Sequence, residues 1–273
     1  MEADKKVEEI NSFGFTIVRK AFTKIEINKI LSIIETKDNK ASIPFSKIPW
    51  GYGNLISDCD FKIVYENNHI NSLCSSFLNE DFEFNHLLIN NKAPFIGPSV
   101  EWHREIFNVN TFGPGAVKTD DCWKNFLQVY IALDPHLEEN GCLKIIPKSH
   151  LIDKIQHEDI VNDRFGHKRR VPSEIMHKIL KNHKMQSVYM DPGDILFFNH
   201  KLLHGSSSNV SDKNRKSIVM QARLPFERDE NIFEKEASYR DSFIISVLED
   251  KIKHRKSKNV YRDFVKGGKD KNK

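Results

Sequence analysis

The sequence predicts a β-sandwich or barrel buttressed by helices. Three observations lead to it. Segments with helical periodicity come early in the chain, a long series of short apolar segments with strand character follows, and the chain's 273 residues suffice for one substantial core. Taken in order, Gly14–Val18 alternates and reads as a short strand. Thr23 and Glu26 form a capping box, and Ile27, Ile30, Leu31 and Ile34 follow on one helical face. Ile70, Leu73, Cys74, Phe77 and Leu78 mark a second helix. Strands are then expected near 84–92, 100–107, 126–133, 142–147, 186–190, 194–199 and 216–224. The stretch 151–183 is longer and more polar, with a helix at Ser173–His183, and Tyr239–Glu249 reads as a terminal helix covering the barrel. No internal repeat is evident.

Composition fits a soluble enzyme. The Met1–Glu9 start is charged and lacks the apolar stretch of a signal peptide. No run is long enough to span a bilayer. The four cysteines stand at 59, 74, 122 and 142, without Cys-x-x-Cys or zinc-like spacing, so they read as reduced thiols in a cytoplasmic protein. The net charge of +4 misleads about partners. Residues 251–273 carry ten Lys/Arg against two Asp/Glu, which leaves the body at −4. The expected organisation is therefore one domain over 1–250, followed by a basic tail at 251–273 that is partly disordered. With no basic stripe on the body, neither nucleic acid nor a membrane is expected as a partner.

Three residues concentrate the chemistry. His103 and Glu105, in Trp-His-Arg-Glu-Ile, are two apart, so on a strand both side chains leave the same face. His204, in Leu-His-Gly-Ser, supplies a distant second imidazole. Two histidines and a carboxylate can hold a non-haem Fe(II) by three corners and leave three positions open. Eleven residues after His204 come Arg215 and Ser217, whose alternation puts a guanidinium and a hydroxyl side by side, suited to a carboxylate. His-x-Glu alone is weak, because twelve histidines make accidental spacings common. The remaining motifs strengthen it: Phe126–Leu133, Glu-Asn-Gly-Cys-Leu at 139–143, Ile-Pro-Lys-Ser-His at 146–150, and Asp-Pro-Gly-Asp-Ile-Leu-Phe-Phe at 191–198.

This ordered series resembles the phytanoyl-CoA dioxygenase family of Fe(II)/2-oxoglutarate oxygenases, over roughly residues 12–225. The resemblance implies a mainly β fold with a double-stranded β-helix, or jelly-roll, core buttressed by N-terminal and C-terminal helices. It implies His103, Glu105 and His204 as metal ligands, and Arg215 as the partner of the far carboxylate of 2-oxoglutarate, with Ser217 adding a hydrogen bond. The expected function is hydroxylation of a small molecule with O2, releasing succinate and CO2. Desaturation, cyclisation or epimerisation with the same cofactors is an alternative outcome, and a non-catalytic jelly-roll binding protein is the rival from another class. Two positions depart from the family. Glu105 stands where Asp is usual, and its presence argues against halogenation. Lys148 replaces the usual Gly.

Other residues carry weaker readings. Gln128 and Tyr130 share a strand face and can reach 2-oxoglutarate or substrate. Lys92, Asn91 and Asn85 precede the metal strand and can line the pocket. His200 competes with His204 as a ligand, His150 reads as a structural hydrogen-bonder and Trp102 as a packing residue. Cys142 reads as a small buried side chain. Arg223 shares the parity of Arg215 and reads as a strand-end charge, with contact to an anionic substrate as the other possibility.

Overall fold

The computed structural model describes residues 2–40, 58–79, 81–105, 126–159 and 169–224. All of them belong to one compact unit. The expected helix at Tyr239–Glu249 and the basic tail lie outside the described residues.

Five helices and eleven strands are described. They run α1 (Glu2–Phe13), β1 (Phe15–Val18), α2 (Lys24–Lys40), α3 (Lys62–Tyr65), α4 (Asn68–Leu78), β2 (Glu83–Lys92), β3 (Val100–His103), β4 (Phe126–Ala132), β5 (Leu143–Ile145), β6 (Glu158–Asp159), β7 (Arg169–Arg170), α5 (Ser173–Asn182), β8 (Gln186–Val188), β9 (Ile195–Asn199), β10 (His204–Ser206) and β11 (Arg215–Arg223). A five-stranded sheet has the order β1-β9-β4-β11-β2, and a four-stranded sheet the order β3-β10-β5-β8. Every pairing within them is antiparallel. This is the two-sheet jelly-roll arrangement with helices on the outside. No helix among the described residues is long and apolar enough to cross a membrane.

Local chemistry explains where the helices start and stop. The backbone N–H of Thr23 donates to Glu26 Oε2 at 2.7 Å, and Glu26 N–H donates to Thr23 Oγ1 at 3.3 Å, which closes the capping box of α2. Asn67 caps α4 by accepting from the N–H groups of His69 and Ile70, and Asn79 ends it in the left-handed region at φ 58°. Helix α1 was not expected from the charged start of the chain. It forms because Ile10 sits on a face that buries fully against the large sheet's helix layer.

The period of β4 decides where the core and the site lie. Leu127, Val129 and Ile131 face the helices and join Ile10, Ile30, Ile70, Leu73, Ile218 and Met220 in one apolar cluster. Tyr130 and Ala132 face the other way, into a second cluster with Leu143, Ile145, Val188, Leu196 and Phe198 between the sheets. The same inward face carries polar side chains that a plain sandwich core would exclude: Gln128, Ser217 and Arg215 are all buried. The expected strand at 100–107 is shorter, ending at His103. Short strand β10, which holds His204, was not anticipated as a strand.

Candidate metal centre and co-substrate pocket

The two imidazoles are brought together by strand pairing. His103 ends β3 and His204 begins β10, and the two are directly opposed in the antiparallel register. Their ring centroids are 4.2 Å apart. Each ring is oriented through its Nδ1, which lies 2.7 Å from Glu101 O in His103 and 3.0 Å from Leu202 O in His204. These carbonyl contacts fix each ring with its Nε2 turned to the centre. The edge of Phe198 packs on His204, at 4.8 Å between centroids.

Glu105 reaches the centre by a different route from the one its spacing suggested. It lies beyond the end of β3, not on the strand. Its backbone N–H donates to His200 O at 3.0 Å. The preceding Arg104 is buried, and its guanidinium donates to Ser149 O at 2.6 Å and Ile152 O at 2.7 Å. These anchors hold the chain extended and turn the Glu105 carboxylate inward. Glu105 Oε1 then lies 3.4 Å from His204 Nε2 and 3.9 Å from His103 Nε2. Burial favours the protonated acid, but hydrogen bonding to His103 and His204 outweighs it and holds the carboxyl well below the usual carboxylate range. Burial, and then the neighbouring His204, lower the pKa of His103, so its ring is neutral. A carboxylate and neutral imidazoles are the protonation states that bind a metal.

The donor atoms of His103, Glu105 and His204 all lie within 4.8 Å of one another. Metal–ligand bonds of about 2.1 Å set neighbouring donors roughly 3 Å apart, so the Glu105–imidazole separations need contract by less than about 1 Å. The donor set therefore fits a divalent ion. A second group, Asp58, Cys59 and Asp60, meets the same spacing, but both carboxylates are already bridged by Lys37 Nζ, 2.5 Å from Asp58 and 2.7 Å from Asp60. His200 does not join the centre. It stacks on Phe126 at 4.6 Å, with Nδ1 3.3 Å from Phe126 O. His150 bonds Asn11 O through Nε2 at 3.1 Å, as a structural role requires, and Trp102 packs beside Ile146 and Val171.

Beside the triad lies a pocket with unsatisfied polar atoms. Register places Val219 of β11 opposite Tyr130 of β4, and Gln221 opposite Gln128, so Arg215 and Ser217 share the inward face with Tyr130 and Gln128. Arg215 donates from Nη1 to Gly141 O at 2.6 Å, and its guanidinium carbon lies 6.0 Å from the Tyr130 ring centre. Among the described residues, Arg215 Nε, Ser217 Oγ, Tyr130 Oη and Gln128 Oε1 are buried with no hydrogen-bond partner. Such clustered vacancies are costly unless a ligand fills them. Lys92 is opposed to Arg215 across β2 and β11, and Asn91 neighbours it on the outer side of the strand. The side chain of Asn85 lies outside the described residues. Arg223 is buried and donates to Glu83 Oε1 from Nε at 2.9 Å, so it forms an ion pair and is not the solvated strand-end charge expected from sequence. Cys142 is fully buried, as expected.

Sequence reasoning missed His136. It is fully buried in the turn after β4, edge-on to Tyr130 at 5.6 Å between centroids, with Nε2 3.3 Å from Lys216 O and Nδ1 unpartnered. Burial, followed by the charge of Arg215, pushes its pKa down to about 3. The backbone bridge from His136 to Met190 puts it there, and no local spacing announces such a bridge.

The phytanoyl-CoA dioxygenase (PhyH) sequence profile matches residues 10–217, more than half the chain. The chain belongs to the phytanoyl-CoA dioxygenase family. The match contains both imidazoles, Glu105 and the Arg215–Ser217 pair. Among curated proteins of this kind, the dioxygenase lolE1 of Epichloe uncinata is 30% identical over 97 residues, which cover 34% of this chain and 31% of that protein. The chain thus aligns with about a third of that relative's length. Solved structures share the fold across most of the chain. The non-heme alpha ketoglutarate dependent epimerase SnoN from nogalamycin biosynthesis is 14% identical, with a TM-score of 0.59 over 82% of this chain and 83% of its own. EctD from S. alaskensis with bound Fe is 14% identical, with a TM-score of 0.63 over 81% and 76%. AviO1 from Streptomyces viridochromogenes Tue57 is 18% identical, with a TM-score of 0.59 over 83% and 96%.

Proposed function

We propose that the protein is an Fe(II)- and 2-oxoglutarate-dependent dioxygenase that hydroxylates a small-molecule substrate. The observation that carries this reading is the meeting of three donors, His103, Glu105 and His204, beside a buried cationic pocket whose polar atoms lack partners. His103 Nε2, Glu105 Oε1 and His204 Nε2 would hold the iron. The iron would supply oxygen activation driven by oxidative decarboxylation of 2-oxoglutarate to succinate.

The chain's own residues do the positioning. Gly141 O fixes one arm of Arg215, which leaves Nε and Nη2 as a fork for the distal carboxylate. Ser217 Oγ and Tyr130 Oη, on the same inward face, offer two further hydrogen bonds. Gln128 Oε1 can accept a hydrogen bond from a hydroxyl or amide near the centre. The apolar wall of Leu196, Phe198 and Leu143 keeps water from the reacting atoms. Residues 1–250 are proposed to act as one oxygenase domain and 251–273 as a solvated tail.

The test is anaerobic loading with Fe(II) and 2-oxoglutarate, then oxygen and fractions of a metabolite extract, with succinate as the readout. Succinate release stimulated by a fraction, with a product one oxygen atom heavier, is expected. No succinate from loaded protein with any fraction, or from uncoupled turnover, would count against an enzyme. A product without added oxygen would point to desaturation, cyclisation or epimerisation.

A further inference from the structure

A single peptide unit connects the metal centre to the turn after β5. Its carbonyl, Leu202 O, lies 3.0 Å from His204 Nδ1. Its other end, the N–H of Leu203, donates to Ser149 Oγ at 2.8 Å. Leu203 O in turn accepts from Ile146 N–H at 3.0 Å. Ser149 therefore holds the peptide from which the His204 ring takes its orientation. Hydroxyl, peptide and imidazole form one chain of contacts in a buried site, where each hydrogen bond polarises the next.

The same residue reaches the other half of the triad through its backbone. Ser149 O accepts from Arg104 Nη2 at 2.6 Å, and Arg104 stands between His103 and Glu105. The turn is itself pinned on both sides. Ser149 N–H donates to Ile146 O at 3.1 Å, Ile152 N–H to Ser149 O at 3.2 Å, and Lys148 N–H to Phe13 O at 2.8 Å. Ser149 is fully buried, and its bonded neighbours Ile146 and Leu203 belong to an apolar cluster with Ile155, Val171 and Met176. A hydroxyl in such surroundings is costly unless hydrogen-bonded, and its partner here is the Leu203 N–H. Alanine would fill the place without that cost, but it would leave the Leu203 N–H without its acceptor.

We propose that Ser149 is a positioning residue of the metal centre. Its Oγ fixes the Leu202–Leu203 peptide that orients His204, and its carbonyl fixes Arg104 beside Glu105. This rests on the reading of His103, Glu105 and His204 as the metal ligands. Ser149 offers no ligand itself and acts through the two chain segments that carry them. Without Oγ the Leu202–Leu203 peptide can turn about its flanking bonds, and the His204 ring loses its fixed partner. The backbone carbonyl survives any side-chain substitution. Removing Oγ therefore acts on His204 and spares the Arg104 anchor of Glu105.

Mn(II) affinity of the full-length protein, read by electron paramagnetic resonance, tests this alongside the melting temperature of the metal-free protein. Losing an outer partner of a ligating histidine weakens metal binding by roughly 10–100-fold, and Ser149→Ala should fall in that range. Ser149→Thr keeps the acceptor oxygen and should recover most of the affinity. Ile155→Ala removes packing from the same cluster without touching the relay, so it should lower the melting temperature and leave affinity near native. Proton NMR of the Co(II)-loaded protein adds a signature that survives partial unfolding of a variant. The Nδ1–H protons of the two ligating histidines are shifted far outside the usual range by the metal, and they exchange with water. Ser149→Ala should move one of them and speed its exchange, leaving the other as in the native protein. Native affinity and an unchanged spectrum in Ser149→Ala would overturn the proposal while leaving the triad standing. So would equal changes in both proton signals, or an equal loss of affinity in Ile155→Ala. A native protein that binds neither Mn(II) nor Co(II) would overturn both readings.

Discussion

Replacing Arg215 with alanine should remove most of the affinity for 2-oxoglutarate. Arg215 is 3% exposed, and Gly141 O holds one of its arms, so the guanidinium is fixed before ligand arrives. Its Nε has no partner among the described residues, and Ser217 Oγ lies on the same face in the same condition. A carboxylate held there gains charge-assisted hydrogen bonds in a dry site. Truncating one partner of such a pair costs about 2–5 kcal/mol, which is upward of about thirtyfold in Kd. Arg215→Lys should recover only part of this, since an ammonium offers a point charge and no planar fork. Calorimetry on Mn(II)-loaded protein measures both variants without turnover. Metal content should be unchanged, because Arg215 lies outside the triad. If Arg215→Ala binds 2-oxoglutarate as tightly as the native chain, the anchor is another cation, and Lys92 is the first to examine.

Further outcomes follow from the same geometry. Glu105→Asp should keep part of the turnover, since ligand type is preserved and only reach shortens, whereas Glu105→Ala should lose it; normal succinate release by Glu105→Ala would place the carboxylate ligand elsewhere. Ile131→Ala removes a fully buried side chain from the helix-facing core and should cost about 2–5 kcal/mol in denaturant melts, with metal stoichiometry intact in the folded fraction. Deleting Lys266–Lys273 should leave melting temperature and turnover unchanged; a salt-sensitive loss of activity would make the tail a partner-binding element.

Residues whose partners are local were readable from sequence, and those fixed by distant partners were not. The Thr23–Glu26 box announced α2, and the period of two in Phe126–Ala132 announced a strand with one face to each cluster. Alternation also put Arg215 and Ser217 on one face, and pairing with β4 places that face inward. The case of Glu105 is different. Alternation on a strand was the argument, yet β3 stops at His103, and the carboxylate is aimed by the Arg104 anchors and the bond to His200 O. Those anchors lie far away in sequence, so no spacing could reveal them. Strand β10 was invisible for a related reason: three residues, one of them Gly205, have strand structure only because β3 and β5 flank them. Helix α1 hid behind its charges, which cover every face but the one that buries Ile10. The jelly-roll topology itself came from the order of motifs along the chain, since composition and periodicity point only to a helix-buttressed sandwich or barrel.

The central claim is that His103, Glu105 and His204 hold one metal ion beside the pocket of Arg215 and Ser217. A crystal structure of the protein loaded anaerobically with Mn(II) and 2-oxoglutarate tests it most directly, through the anomalous signal of the metal. The account predicts one peak per chain, within bonding distance of His103 Nε2, His204 Nε2 and a Glu105 carboxylate oxygen, with the distal carboxylate of 2-oxoglutarate on Arg215. A peak ligated by other residues, or none at the triad in a fully loaded crystal, would contradict it.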